Sequence, residues 1–169
     1  MSEIEEIVIT SDVSVYGKSS AWAAYIKTAD DEHKIARTFK KRTKSAQGEL
    51  YALINAIVIA DMLYGIENKK LKIYCDHDTV LDISMRADGT PKKKSMKKFE
   101  TIKEYLEPYL EKAQEHEVIW IPGHKKLDTP DEVRRMHLWC DKASRKKCKE
   151  MNKELQRKAW YAGLQSSKS

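Results

Sequence analysis

Asp12, Glu49, Asp76 and Asp141 each lie in or beside an apolar segment, where an isolated carboxylate is costly. Asp12 ends the run Ile7-Val8-Ile9-Thr10-Ser11, and Asp76 ends Leu71-Lys72-Ile73-Tyr74-Cys75. Glu49 opens Glu49-Leu50-Tyr51-Ala52-Leu53-Ile54, and Asp141 falls in a long amphipathic stretch after Val118-Ile119-Trp120-Ile121. Acids at the ends of buried strands are placed to hold hard divalent cations through oxygen ligands. The chain around them is basic, with 32 Lys and Arg against 26 Asp and Glu and a net charge of +6. Such a surface attracts polyanions through phosphate contacts and counterion release. A merely soluble basic surface would have the same composition, so it is the acidic nest beside the basic surface that points to a nucleic-acid chemistry.

The elements that must position these acids follow from the hydrophobic periodicity. Residues 6–14 read as a strand, Trp22–Lys27 as a second and Lys34–Phe39 as a third, the last with clear alternation. Their links are short, which predicts an antiparallel meander. Leu50, Leu53, Ile54, Ile57 and Val58 form a helical stripe that ends near Tyr64-Gly65, where glycine suits a C-cap. Residues 71–75 are continuously apolar, as a strand in the middle of a parallel sheet is. A brief helix is expected over Thr79–Ser84, a loop-like stretch over Arg86–Lys98, and a helix through Phe99, Ile102, Leu106, Tyr109, Leu110 and Ala113. Residues 117–121 make the last strand, and a final helix starts at Pro130 or later and runs toward Trp160. The expected fold is α/β: a five-stranded mixed sheet, with a three-strand antiparallel meander plus two parallel strands, flanked by helices. One catalytic domain is expected over residues 1–164, with a disordered tail over 165–169. Sites in such sheets lie beyond the carboxyl ends of the parallel strands, where Asp12 and Asp76 both fall.

Four segments in this order resemble the ribonuclease H superfamily, and within it ribonuclease H type I. Ile9-Thr10-Ser11-Asp12-Val13-Ser14 is similar to the family's first-strand motif, whose Asp is the central metal ligand. Gly48-Glu49-Leu50-Tyr51-Ala52-Leu53 is similar to its Ala-Glu-Leu-x-Ala helix start. Ile73-Tyr74-Cys75-Asp76-His77-Asp78-Thr79-Val80 resembles its fourth-strand Asp-Ser-x-x-Val. Trp120-Ile121-Pro122-Gly123-His124, with Asp141-Lys142-Ala143 later, resembles its Trp-Val-x-Gly-His and Asp-x-Leu-Ala. Each piece alone is a weak motif; four in order, each in the expected element, make a specific signal over about residues 6–146.

The resemblance implies an endoribonuclease that cuts the RNA strand of RNA/DNA hybrids and leaves 5′-phosphate and 3′-hydroxyl ends. Phosphodiester hydrolysis needs an activated water and a stabilised leaving oxygen, and two Mg²⁺ ions roughly 4 Å apart supply both, with Mn²⁺ as a substitute. On this reading Asp12 bridges the ions, Asp76 and Asp141 flank the nucleophile-side ion, and Glu49 flanks the other. His124 would be a mobile proton shuttle that helps release product. Taken singly, each residue has a plainer reading: Asp76 as a helix cap, Glu49 as a first-turn acid on the helix dipole, His124 as an ordinary loop histidine.

The sequence departs from the family pattern at several places. Val13 stands where the family has Gly, and Ser19-Ser20-Ala21-Trp22-Ala23-Ala24 replaces its Gly-rich second strand. Lys44-Ser45-Ala46-Gln47 replaces the Asn residues that touch the nucleic-acid backbone, so Ser14, Ser45 and Gln47 become the candidate substrate contacts. This bears on how the RNA 2′-OH is sensed and keeps open a same-fold nuclease acting on double-stranded RNA or branched DNA. A non-catalytic nucleic-acid-binding module is the rival from another class; four mutually repelling carboxylates argue against it. The gap between His124 and Asp141 is long, and Asp131 within it competes with Asp141 as a ligand.

Lys92, Lys93, Lys94, Lys97 and Lys98 occupy the place of the family's basic handle, in shortened form, with phosphate contact as their functional reading and a solvated charge run as the plain one. A second basic region spans Arg145 to Lys158. His137 and Cys140 at i, i+3, with Cys148 further on, raise zinc, but a tetrahedral site needs four ligands at better spacing. Cys75 reads as a small buried hydrophobe. Three cysteines, too few and odd in number for a disulfide framework, the absence of a signal-peptide core in the first residues, and no apolar run approaching membrane-spanning length predict a soluble, cytoplasmic protein with no membrane partner; a monomer is expected.

Overall fold

The computed structural model describes residues 3–76, 97–121 and 129–167. The elements in chain order are β1 (Glu6–Tyr16), β2 (Ser19–Lys27), β3 (Glu32–Thr38), α1 (Ser45–Tyr64), β4 (Lys70–Cys75), α2 (Lys97–Lys112), β5 (Glu115–Trp120) and α3 (Asp131–Ser166). The sheet order is β3-β2-β1-β4-β5. The β1–β2 and β2–β3 pairs are antiparallel, and the β1–β4 and β4–β5 pairs are parallel. This is the mixed five-stranded sheet that the periodicity predicts. The expected helix over 79–84 lies outside the described residues.

Side chains alternate between the two faces of a strand, and here each face takes a different helix layer. Ile7 and Ile9 of β1, Ile26 of β2 and Leu71 and Ile73 of β4 pack with Leu50, Leu53, Ala56 and Ile57 of α1 and Leu106 and Leu110 of α2. At 20 residues α1 is long and apolar enough, by length and composition, to cross a bilayer. Its apolar residues instead form the centre of this core. The opposite face receives α3, where Cys140 Sγ approaches the Thr10 carbonyl at 3.6 Å. Tyr25 and Trp139 meet edge to face with centroids 5.9 Å apart, a geometry that aromatic quadrupoles favour.

Several strand ends lie beyond their expected limits. β1 continues to Tyr16 and β2 starts at Ser19, so the turn is only Gly17-Lys18. The polar residues Ser19 and Ser20 are buried because each holds an adjoining element. Ser19 Oγ donates to the Cys148 carbonyl of α3 at 2.7 Å. Ser20 Oγ accepts from the Thr43 amide at 3.0 Å, and the Phe39 amide donates to the Ser20 carbonyl at 3.0 Å. Asn152 Oδ1 accepts from the Lys18 amide at 3.1 Å, beside Gly17 at φ +57°, where a Cβ would lie 2.3 Å from that oxygen. The β1–β2 hairpin end thus ties α3 on one side and the loop leading to α1 on the other. α3 runs through Ser166, so Gln165 and Ser166, expected in the tail, are the helix's last residues.

Candidate metal centre

The register of the two central strands brings the first pair of acids together. Thr10 of β1 pairs with Tyr74 of the parallel β4, so two residues further on Asp12 stands level with Asp76. β4 stops at Cys75, whereas β1 continues past Asp12, which pairs with Ala23 of β2. Asp12 therefore sits inside its strand, at the point where its neighbour on the other side has ended. Among the described residues, Asp76 is the acid that acts most strongly on both Asp12 and Glu49 at this point.

Glu49 arrives from the first turn of α1 and is buried. Its approach depends on Gly48, where a Cβ would lie 2.9 Å from Val13 Cγ1 and 3.0 Å from Thr43 Oγ1. A β-branched valine cannot swing away cheaply. Gly48→Ala is expected to lower stability by about 1–3 kcal/mol, the usual cost of overpacking, and to displace Glu49 from Asp12. Thermal melts, with cleavage rates measured below the transition, would check both effects.

The fourth group is His137 of α3. Its Nδ1 lies 3.3 Å from Thr10 Oγ1, and its Nε2 lies 3.5 Å from Asp76 Oδ2. One donor atom from each of Asp12, Asp76 and His137 falls within 4.8 Å of the others. Asp141 stands one helical turn further along, at i+4, on the same side of the helix. Its Oδ1 is paired with Arg145 Nε at 3.0 Å.

Electrostatics marks this as a site of concentrated negative charge. Burial, then the charge of Asp76, pushes the Asp12 carboxyl up to about 7, against the opposing pull of His137 and the Val13 amide, whose N–H donates to Asp12 Oδ1 at 2.9 Å. Burial, then Asp76 and Asp12, pushes Glu49 up to about 10. Burial would lower His137, but Asp76 and Asp12 outweigh it and hold the imidazole above its usual range. Such carboxyls hold protons at neutral pH unless a cation takes the protons' place. A divalent ion would do so, and the donors present fit one: oxygens for a hard ion, with one imidazole beside them.

The expected site residues divide into three groups. Asp12, Glu49, Asp76 and Asp141 all lie around the end of β4, with Asp141 engaged by Arg145. Asp131 is almost fully exposed, its side chain at 92%, and pairs with Arg134. Ser14 is half-buried on β1, while Ser45 and Gln47, expected ahead of the helix, fall within the first turn of α1. Lys97 and Lys98 lie in the first turn of α2; His124, Lys92, Lys93 and Lys94 lie outside the described residues. In the sequence His137 stands out only for its i, i+3 spacing to Cys140. Cys140 is fully buried against the Thr10 carbonyl, and the informative spacing was i, i+4 to Asp141. The second basic region lines a groove on α3 formed by Lys142, Arg145, Lys146, Lys149, Glu150 and Lys153.

Comparison with known proteins bears on the fold and the family. A search of curated protein sequences finds no match. Among solved structures, the N-terminal RNase H domain of a Mycobacterium tuberculosis protein, solved as a maltose-binding-protein fusion, superposes with a TM-score of 0.64 at 16% identity, covering 89% of this chain and 99% of that one. RNase H1 from the archaeon Halobacterium salinarum gives 0.64 at 13% identity, covering 86% and 98%. LC11-RNase H1, in complex with an RNA/DNA hybrid, gives 0.63 at 14% identity, covering 86% and 98%. At these identities the structures establish the fold. The family model for RNase H matches residues 5–149, a span that takes in the whole sheet and all four acids, and the chain belongs to the ribonuclease H family.

Proposed function

We propose that this protein is a metal-dependent endonuclease that hydrolyses the RNA strand of RNA/DNA hybrids, leaving 5′-phosphate and 3′-hydroxyl ends. The observation that carries the reading is the placement of Asp12 and Asp76 at one level of adjacent parallel strands, where a donor atom of each lies within 4.8 Å of the other, with Glu49 buried beside them. Asp12, Glu49, Asp76 and Asp141 would hold two divalent cations, Mg²⁺ or Mn²⁺. Bound there, these cations supply an activated water and stabilise the leaving oxygen.

The chain's own groups orient and neutralise. Asp12, central and buried, would serve both cations, Asp76 and Asp141 would help hold the one that activates the water, and Glu49 the other. His124 moves a proton during product release. Lys92, Lys93, Lys94, Lys97 and Lys98 contact phosphates, and Ser14, Ser45 and Gln47 contact the nucleic-acid backbone. The reading takes residues 1–164 as one catalytic domain and the protein as a cytoplasmic monomer. A neighbour of the same fold that was solved on an RNA/DNA hybrid supports the choice of substrate.

Cleavage of labelled RNA/DNA hybrid, double-stranded RNA and double-stranded DNA, each with Mg²⁺, Mn²⁺ or EDTA, tests the reading. The expected result is cutting of the hybrid's RNA strand alone, abolished by EDTA. Cutting of double-stranded RNA in preference to hybrid would assign the protein to a different duplex. Binding of hybrid without cutting under any metal would make it a binding module and end the enzyme reading.

A further inference from the structure

We propose that His137 is a metal ligand, so that one cation position in this centre has a mixed nitrogen and oxygen donor set that favours Mn²⁺ over Mg²⁺. The inference rests on the metal-dependent reading above and concerns a residue that reading does not use. Three features of the geometry carry it.

The first is reach. Two ligands on opposite sides of an ion, with bonds of about 2.1 Å, stand about 4.2 Å apart. Donor atoms of Asp12, Asp76 and His137 already lie within 4.8 Å of one another, so small side-chain movements close the shell. The second is orientation. A ligating histidine is held by a hydrogen bond at its other ring nitrogen, which fixes the ring and the tautomer. Here Nδ1 faces Thr10 Oγ1 at 3.3 Å, and this turns Nε2 toward Asp76 at 3.5 Å. Thr10 is fully buried in the middle of β1, so the support is rigid. The third is the backbone beneath. α3 is anchored on both sides of His137, by Val133 in a cluster with Tyr74 and Ile121 and by Cys140 on the Thr10 carbonyl. The imidazole is therefore presented by a packed helix, on the opposite side of the site from α1 and Glu49.

Ligand chemistry then sets the preference. Mg²⁺ is small and hard and takes carboxylate, water and phosphate oxygens. Mn²⁺ is the weakest binder of the divalent transition series, but it accepts an imidazole nitrogen more readily than Mg²⁺ does. An ion pair between His137 and Asp76 is the plain alternative. It would leave no nitrogen on the metal.

Pulsed electron spin echo spectroscopy of the Mn²⁺-loaded full chain separates the two, because a directly bound imidazole imprints ¹⁴N modulation on the echo. The expected result is modulation in the wild type that disappears in His137→Asn and persists in His77→Ala and His124→Ala. In Mn²⁺ and Mg²⁺ titrations, His137→Asn should weaken Mn²⁺ binding about tenfold or more and leave Mg²⁺ within about twofold. Thr10→Val, which keeps the imidazole but frees the ring, should weaken Mn²⁺ binding by about tenfold, as loss of an outer-shell partner does. Bound Mn²⁺ without ¹⁴N modulation, or modulation that survives in His137→Asn, overturns the inference while leaving the carboxylate centre standing. Failure of the folded wild type to bind Mn²⁺ at all overturns the inference and the metal-dependent reading together.

Discussion

Asp12→Asn is expected to lower hybrid cleavage by on the order of 10³-fold or more, a loss of about 4 kcal/mol of transition-state stabilisation. Asp12 is the group around which the rest of the centre is arranged. It stands level with Asp76, it is one of the charges that raise Glu49 and His137, and its own carboxyl is shaped by the Val13 amide. An amide keeps the size and one acceptor oxygen but not the charge, so it would hold a divalent cation far less tightly. Asp76→Asn should give a loss of similar order. Asp141→Asn should cost less, because Arg145 already neutralises part of that carboxylate at 3.0 Å. Single-turnover cleavage of labelled hybrid, with circular dichroism to confirm folding, gives the ranking. An Asp12→Asn protein that keeps a tenth of wild-type activity would remove the centre described here as the site of chemistry.

The second large effect is on stability without metal. Asp12 and Glu49 have raised carboxyls in the folded protein. Below about pH 4 such groups are protonated both folded and unfolded and cost nothing. As pH rises the unfolded chain ionises first, while the buried carboxyls keep their protons up to about 7 and about 10. Stability falls across that interval because the unfolded state releases protons more readily. His137 acts in the same direction: its raised imidazole contributes stability that is present below the unfolded value and lost as pH climbs through the folded one. In chelator, the melting temperature should therefore fall between about pH 5 and pH 8, by an amount equivalent to about 2–4 kcal/mol, or roughly 5–10 °C for a chain of this size. Added Mn²⁺ or Mg²⁺ should recover most of the loss at pH 8 and little at pH 5. Glu49→Gln, which cannot ionise, should melt higher than the wild type in chelator at pH 8 and respond less to metal. A metal-free melting temperature that rises from pH 5 to pH 8 would contradict the buried, mutually raised carboxylates.

These two effects bear on the rival readings. A binding module that had kept the fold would have no use for a centre that lowers its stability near neutral pH. On the proposed function, a bound cation would offset this cost through its binding free energy.

The sequence by itself determined the sheet and singled out the acids beside it. Alternation along 34–39, the continuous apolar run of 71–75 and the short links of the meander depend on burial of neighbouring residues in the chain, which period and turn length report directly. Asp12, Glu49 and Asp76 were legible because each adjoins such a run, and the family likeness placed them in one order. Only the tertiary structure decided what depends on distance across the fold. That Asp12 lies within β1, beside the end of β4, follows from the β1–β4 register, and register is a property of two strands rather than one. That Ser19 and Ser20 are buried follows from partners more than twenty residues away or more than a hundred. The role open to His137 was hidden for the same reason. On the helix it is one polar residue among many, and its nearness to Thr10 and Asp76 exists only once α3 lies across the sheet.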